Sequence, residues 1–117
     1  MNAISVTLQS IQCHSTSEGS GDELFVVYQP DALFPRRIPG GSLKHHDIDD
    51  GQTWTLNQPI TFTRDLMVTV YDQDPSKLPS LADYLFSVGY KNSSIPPSVT
   101  MANVNGANYT INMSVNV

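Results

Sequence analysis

Cations are scarce in this chain: six lysines and arginines stand against eleven aspartates and glutamates among 117 residues, and the six are scattered. A protein that holds a nucleic-acid backbone needs clustered Lys and Arg, so nucleic acid is excluded as an expected partner. Cysteine is almost absent. Cys13 alone cannot form an internal disulfide, and its place at the end of an apolar strand pattern reads as a buried thiol. No apolar run approaches the roughly 20 residues that span a bilayer, and the mean hydropathy is -0.21. The opening residues, MNAISVTLQS, show no cationic segment followed by an apolar one. The expectation is a soluble protein that is cytoplasmic or is exported without a recognisable signal peptide. Catalytic signatures are missing too, with no Gly-x-Ser-x-Gly elbow, HExxH, P-loop or suitable Cys-His pairing. Acids at loop tips lack the burial that raises one pKa for glycoside chemistry, so no enzyme is expected. The length suits a single folding unit over 1–117.

What the chain does have is short, β-rich apolar segments. Ile4, Val6 and Leu8 alternate with polar residues, then the phase shifts to Ile11 and Cys13, as across a bulge. ELFVVYQ (23–29) is a near-continuous run of strand length. Three prolines between Pro30 and Gly41 leave at most edge-strand pieces. KHHDIDDGQ (44–52) reads as loop. Trp54, Leu56, Ile60 and Phe62 form a strand pattern interrupted near Asn57-Gln58-Pro59, and a turn at 63–65 opens Leu66, Val68 and Val70. Leu85 to Tyr90 reads as strand and Asn92 to Ser98 as loop; Lys77 to Asp83 holds the one candidate helical turn. Tyr109, Ile111, Met113, Val115 and Val117 alternate with polar residues, which predicts one buried face and one wet face. Strands at this spacing, with no convincing 3.6-residue period, predict an all-β antiparallel sandwich of about eight strands.

The acids gather at strand ends. Glu18, Asp22 and Glu23 follow the first strand, Asp72 and Asp74 follow Val70, and Asp83 precedes the next strand. In a sandwich, loops meet at the two ends, so distant loops can share a tip. Clustered carboxylates repel unless a cation neutralises them, and calcium takes six to eight oxygens that flexible loops can supply. The alternative for each single aspartate is a local turn made with its own backbone.

In this order the segments resemble those of C2 domains. GSGDELFVVY is similar to the loop aspartate before the second strand, and WTLNQPITF to the "LNP-aromatic" strand start. LMVTVYDQDPSKLPSLADYLFSVGY resembles the strand, Asp-x-Asp, loop, Asp, strand sequence. The resemblance covers most of 4–90. It implies an eight-stranded Greek-key sandwich with calcium between loops at one tip, often with calcium-dependent attachment to phospholipid. Carried over by position, Asp22, Asp72, Asp74 and Asp83 would be ligands, with the Gln73 carbonyl a further one. Where the family has an earlier first-loop aspartate, this chain offers Ser15, Thr16, Ser17 or Glu18.

Lys77, Leu78 and Leu81, between Asp74 and Asp83, would then face a lipid surface, or the leucines would fold back over the sandwich end. Tyr71 and Tyr84 flank the acidic loop and suit stacking on a sugar, the basis of an alternative reading as a calcium-dependent lectin. A metal-free structural or assembly protein is the third reading. His45 and His46 point to opposite faces of an extended chain and so rarely share a zinc ion. Asp47, Asp49 and Asp50 are a second place for calcium. Trp54, Tyr28, Phe25 and Phe62 are expected in the core. Asn92, Asn108 and Asn112 open glycosylation sequons, here read as unmodified polar faces.

Overall fold

The computed structural model describes residues 2–17, 19, 21–41, 44–73, 83–103 and 106–116, with Asp83 described by its backbone. Among the described residues nine strands run β1 (Ile4–Ser15), β2 (Asp22–Pro30), β3 (Arg36–Ile38), β4 (His46–Ile48), β5 (Thr53–Phe62), β6 (Asp65–Asp72), β7 (Asp83–Lys91), β8 (Ser98–Ala102) and β9 (Asn108–Val115). One sheet has the order β5-β1-β9-β8 and the other β3-β2-β6-β7, with β4 also paired to β2. Every pairing is antiparallel.

Alternation explains which face each strand buries. Val6 and Leu8 point into the sandwich, and so do Ile11 and Cys13 after the register shifts between Leu8 and Ser10. The bulge is what lets a strand with a broken period keep one face inward. Leu24, Val26 and Tyr28 of β2, Leu66, Val68 and Val70 of β6, and Ile111 and Met113 of β9 join them in the core, with Trp54, Ile60 and Phe62 of β5 and Phe86, Val88 and Tyr90 of β7. Each fully buried Leu, Ile or Val contributes about 1.5–3 kcal/mol. Burial pushes the Cys13 thiol up from its ordinary value, as an inert core thiol requires.

Several segments depart from the pattern read along the chain. The stretch 44–52, expected as loop, holds β4, because pairing of Ile48 with Asp22 and His46 with Leu24 supplies order that a polar sequence does not announce. β5 runs through the expected interruption. Asn57 takes φ of 49°, and Pro59 lies on an edge strand, where a missing N–H is tolerated. β8 is an edge strand whose Val99 and Met101 are only partly buried. On β9 the polar face is not wholly wet: Thr110 is buried, bonded to Thr100 and His14 at 2.7 Å each. Phe25 is buried but on the outer face of its sheet, not in the central cluster. The candidate turn at 77–83 lies mostly outside the described residues.

Candidate functional site

β2 begins where β6 ends, and their register sets Leu24 opposite Asp72. The first residue of one strand and the last of the other therefore meet at one end of the sandwich. Asp22 is 1% exposed and Asp72 is 0% exposed, so these two acids have the burial that flexible loop tips were expected to deny them.

Their partners are few. Ser17 donates its N–H to Asp22 Oδ2 at 2.9 Å and its hydroxyl to Oδ1 at 2.6 Å. The Tyr109 hydroxyl, arriving from the opposite sheet, donates to Asp22 Oδ2 at 2.5 Å. Asp72 Oδ1 accepts the Glu23 backbone N–H at 2.8 Å, and its Oδ2 lies 3.3 Å from Ser17 Oγ. A serine hydroxyl carries one proton, so Ser17 serves one carboxylate at a time. Burial pushes the Asp72 carboxyl above its ordinary value, and the charge of Asp22 adds to this. The Glu23 N–H, with side-chain hydrogen bonds from Glu23 and Ser17, opposes it. The pair thus favours either a proton or a cation. Both groups offer only oxygen, the donor chemistry of a hard cation such as calcium.

Gln73 is also buried; its N–H donates to the Glu23 carbonyl at 2.6 Å, and its side-chain Nε2 has no partner among the described residues. Asp83 pairs with Asp72 by backbone register, which brings its main chain to the same end. Glu18, Asp74, Lys77, Leu78 and Leu81 lie outside the described residues. Among the described residues no group of three His, Cys, Asp or Glu is close enough to hold an ion.

The second acidic loop adjoins the first. A polar cleft of about 410 Å³ is lined by Gly21, Asp22, Glu23, Asp47, Asp49 and Gln52 among others. Asp49 Oδ1 is engaged in its own turn, accepting the Asp50 N–H at 2.8 Å, and the neighbouring Asp50 reaches across to the first loop, accepting the Thr16 N–H at 3.0 Å. Gly21 has φ of 100°, and a Cβ there would stand 3.0 Å from the Ile48 carbonyl oxygen, so only glycine fits. The two histidines do part: His46 stacks on Trp54 at 4.7 Å, and His45 Nε2 meets Asp47 at 3.2 Å.

Tyr71 and Tyr84 belong to an aromatic row on the outer face of the β3-β2-β6-β7 sheet. Arg37 lies 3.6 Å over the Phe25 ring, Phe25 stacks on Tyr71 at 4.8 Å, and Tyr84 meets Tyr71 edge-on at 6.1 Å. Tyr84 is 58% exposed, while Tyr71 has one ring face covered by Phe25.

Two participants carried weak sequence signals. Ser17 sits in a loop offering several hydroxyls, and Tyr109 reads as a core aromatic whose hydroxyl partner lies 87 residues away.

No family model matches the chain, and no curated protein matches it. Solved structures do. The structure of a C2 domain overlays on 97% of this chain and 99% of its own, with a TM-score of 0.59 at 10% identity. Human GIVD cytosolic phospholipase A2, in complex with methyl gamma-linolenyl fluorophosphonate inhibitor and terbium chloride, overlays on 97% of this chain. There the TM-score is 0.55 at 13% identity, and the chain spans 17% of the phospholipase's length. At these identities the likeness is one of fold: a C2-like antiparallel sandwich.

Proposed function

We propose that this C2-like sandwich is a non-enzymatic binding module that takes up calcium at the end bearing Asp22 and Asp72. Through the loops there it attaches to a phospholipid surface or a protein partner. The observation that carries the reading is the pair of buried carboxylates sharing one serine hydroxyl. Two like charges in a low-dielectric position are costly, and a divalent cation relieves that cost. Asp22 and Asp72 would hold the ion, with Gln73, Asp83, Asp74 and Glu18 as further oxygen donors from the same loops. Calcium supplies charge neutralisation and a bridge to anionic head groups, which is how an acidic domain approaches an anionic membrane. The catalytic part of the phospholipase has no counterpart in this proposal, because only a fraction of that protein's length is spanned.

The test is thermal unfolding with calcium, magnesium or chelator, together with sedimentation on anionic vesicles. Calcium is expected to raise the transition temperature and to drive vesicle binding. Unchanged melting in calcium and chelator would leave the metal-free structural reading, which the three hydrogen bonds already donated to Asp22 favour. The exposed ring of Tyr84 beside the acidic end favours a calcium-dependent lectin as the second reading. Glycan-array binding without vesicle binding would select it.

A further inference from the structure

At the other end of β2 the chain turns through Asp31 to Pro35 before entering β3. This loop presents two large apolar side chains to solvent, Phe34 at 87% and Leu33 at 65% exposure. Exposure of single apolar residues is ordinary. What is not ordinary is how firmly the loop is held in the conformation that exposes them. Asp31 and Ala32 both adopt left-handed backbone, with φ of 53° and 55°, which non-glycine residues avoid. The Asp31 carboxylate accepts backbone N–H groups from Thr63 at 2.9 Å, Arg64 at 2.6 Å and Asp65 at 3.2 Å. Its own N–H donates to the Asp65 carbonyl at 2.8 Å. Leu33 is fixed at both backbone groups, its N–H donating to the Pro30 carbonyl at 2.9 Å and its carbonyl accepting Gln29 Nε2 at 2.7 Å.

Charge around the loop differs from that of the acidic end. Arg36, Arg64 and Lys91 are exposed there, and among the described residues none is in an ion pair. The two acids present are Asp31, occupied by three N–H groups, and Asp65, opposite Lys91 in the β6–β7 register. Asp22, Glu23, Asp47, Asp49, Asp50 and Asp72 lie at the far end of the strands. Nine residues of β2 separate the two ends by about 27 Å, more than three Debye lengths at physiological salt. The net charge of -5 therefore does not describe the surface around Phe34.

We propose that the loop bearing Leu33 and Phe34, with Arg36, Arg64 and Lys91, is a calcium-independent docking surface for an anionic phospholipid bilayer. Insertion of two apolar side chains alone gives marginal attachment, and basic residues beside them supply the second signal. A loop tied down by these hydrogen bonds with its apolar side chains exposed suits the head-group boundary, where apolar tips enter and cationic heads stay at phosphate level. This surface stands apart from the calcium end, so one domain would carry two attachment points facing opposite ways.

The experiment is flotation of the 117-residue chain with phosphatidylcholine vesicles, with and without phosphatidylserine, in excess chelator. Binding that requires phosphatidylserine and weakens with added salt is expected. Leu33→Ser with Phe34→Ser should lower the partition coefficient at least about tenfold. Arg36→Gln or Arg64→Gln should each lower it about fivefold. Asp72→Asn, which addresses the calcium end, should leave chelator-resistant binding unchanged. No binding in chelator, or equal binding by the Leu33/Phe34 variant, would overturn the proposal. So would concentration-dependent self-association lost in that variant without any vesicle binding, which would instead place Phe34 in the neighbouring cavity of about 370 Å³ beside Leu66, Met67 and Tyr90 of a second copy. Loss of calcium binding with chelator-resistant flotation intact would remove the proposed calcium site and leave this surface standing.

Discussion

Tyr109 of β9 and Asp22 of β2 join the two sheets at the acidic end of the sandwich, the phenol hydroxyl donating to Asp22 Oδ2 at 2.5 Å. Tyr109 is completely buried, and burial with the Asp22 contact holds its hydroxyl protonated far above the ordinary tyrosine range. A donor that stays protonated holds Asp22 Oδ2 from the opposite sheet, while Ser17 holds both carboxylate oxygens from the loop.

Tyr109→Phe keeps the ring packed against Phe86 and removes the donor. The chelator-treated protein should lose about 1.5–3 kcal/mol in denaturant unfolding, the worth of a hydrogen bond to a charged group, with Oδ2 left to the Ser17 N–H alone. Calcium should recover part of the loss, because the ion can take the freed lone pair. Recovery equal in wild type and variant would mean that Asp22 Oδ2 does not face the ion.

The strands were largely legible along the chain because their periods are local. The phase shift from Leu8 to Ile11 announced a bulge, and a register shift stands between Leu8 and Ser10. β4 was illegible for the opposite reason: HDI carries one apolar residue, and its order comes from pairing with Asp22, Glu23 and Leu24. At the site, the gathering of Asp22 with Asp72 followed from both standing at strand ends. The Ser17 bridge and the Tyr109 donor did not follow, since neither loop conformation nor contacts across 87 residues are written in a spacing.

Asp72 and Asp31 should bend the pH dependence of stability in opposite directions. Burial raises the Asp72 carboxyl above 3.8, so its contribution is fully present below that value and is lost as pH rises through the raised one. Backbone N–H groups of Arg64 and Thr63 lower Asp31 below 3.8, so its contribution is present above that value and is lost as pH falls through the lowered one. Denaturant midpoints in chelator, taken from about pH 2 to 7, should flatten on the upper limb in Asp72→Asn and on the lower limb in Asp31→Asn. Identical profiles for wild type and both variants would show that neither group is perturbed.

Gly21 should tolerate no side chain. At φ of 100°, with the Ile48 oxygen 3.0 Å from a would-be Cβ, Gly21→Ala combines backbone strain with a backbone clash. A loss of about 1–2 kcal/mol is expected. Because Gly21 adjoins Asp22 and lines the cleft with Asp47 and Asp49, the calcium-induced shift should shrink as well. A control at Gly19, which has nothing within 4 Å of a Cβ, should leave both quantities near wild type.

The position of the ion is decided by comparing two sets of neutral isosteres. At about 100 times its dissociation constant, calcium should stabilise the folded state by about 2.7 kcal/mol, several degrees for a domain of this size. Asp72→Asn keeps the acceptor for the Glu23 N–H while removing a buried charge, so the chelator-treated variant should melt no lower than wild type. Its calcium shift should vanish. Asp47→Asn with Asp49→Asn should retain most of the shift, since these groups line the adjoining cleft and Asp49 already serves its own turn. The reverse pattern, a shift kept by Asp72→Asn and lost in the Asp47/Asp49 variant, would move the cation into that cleft. Asp22 lines both places and so cannot discriminate between them.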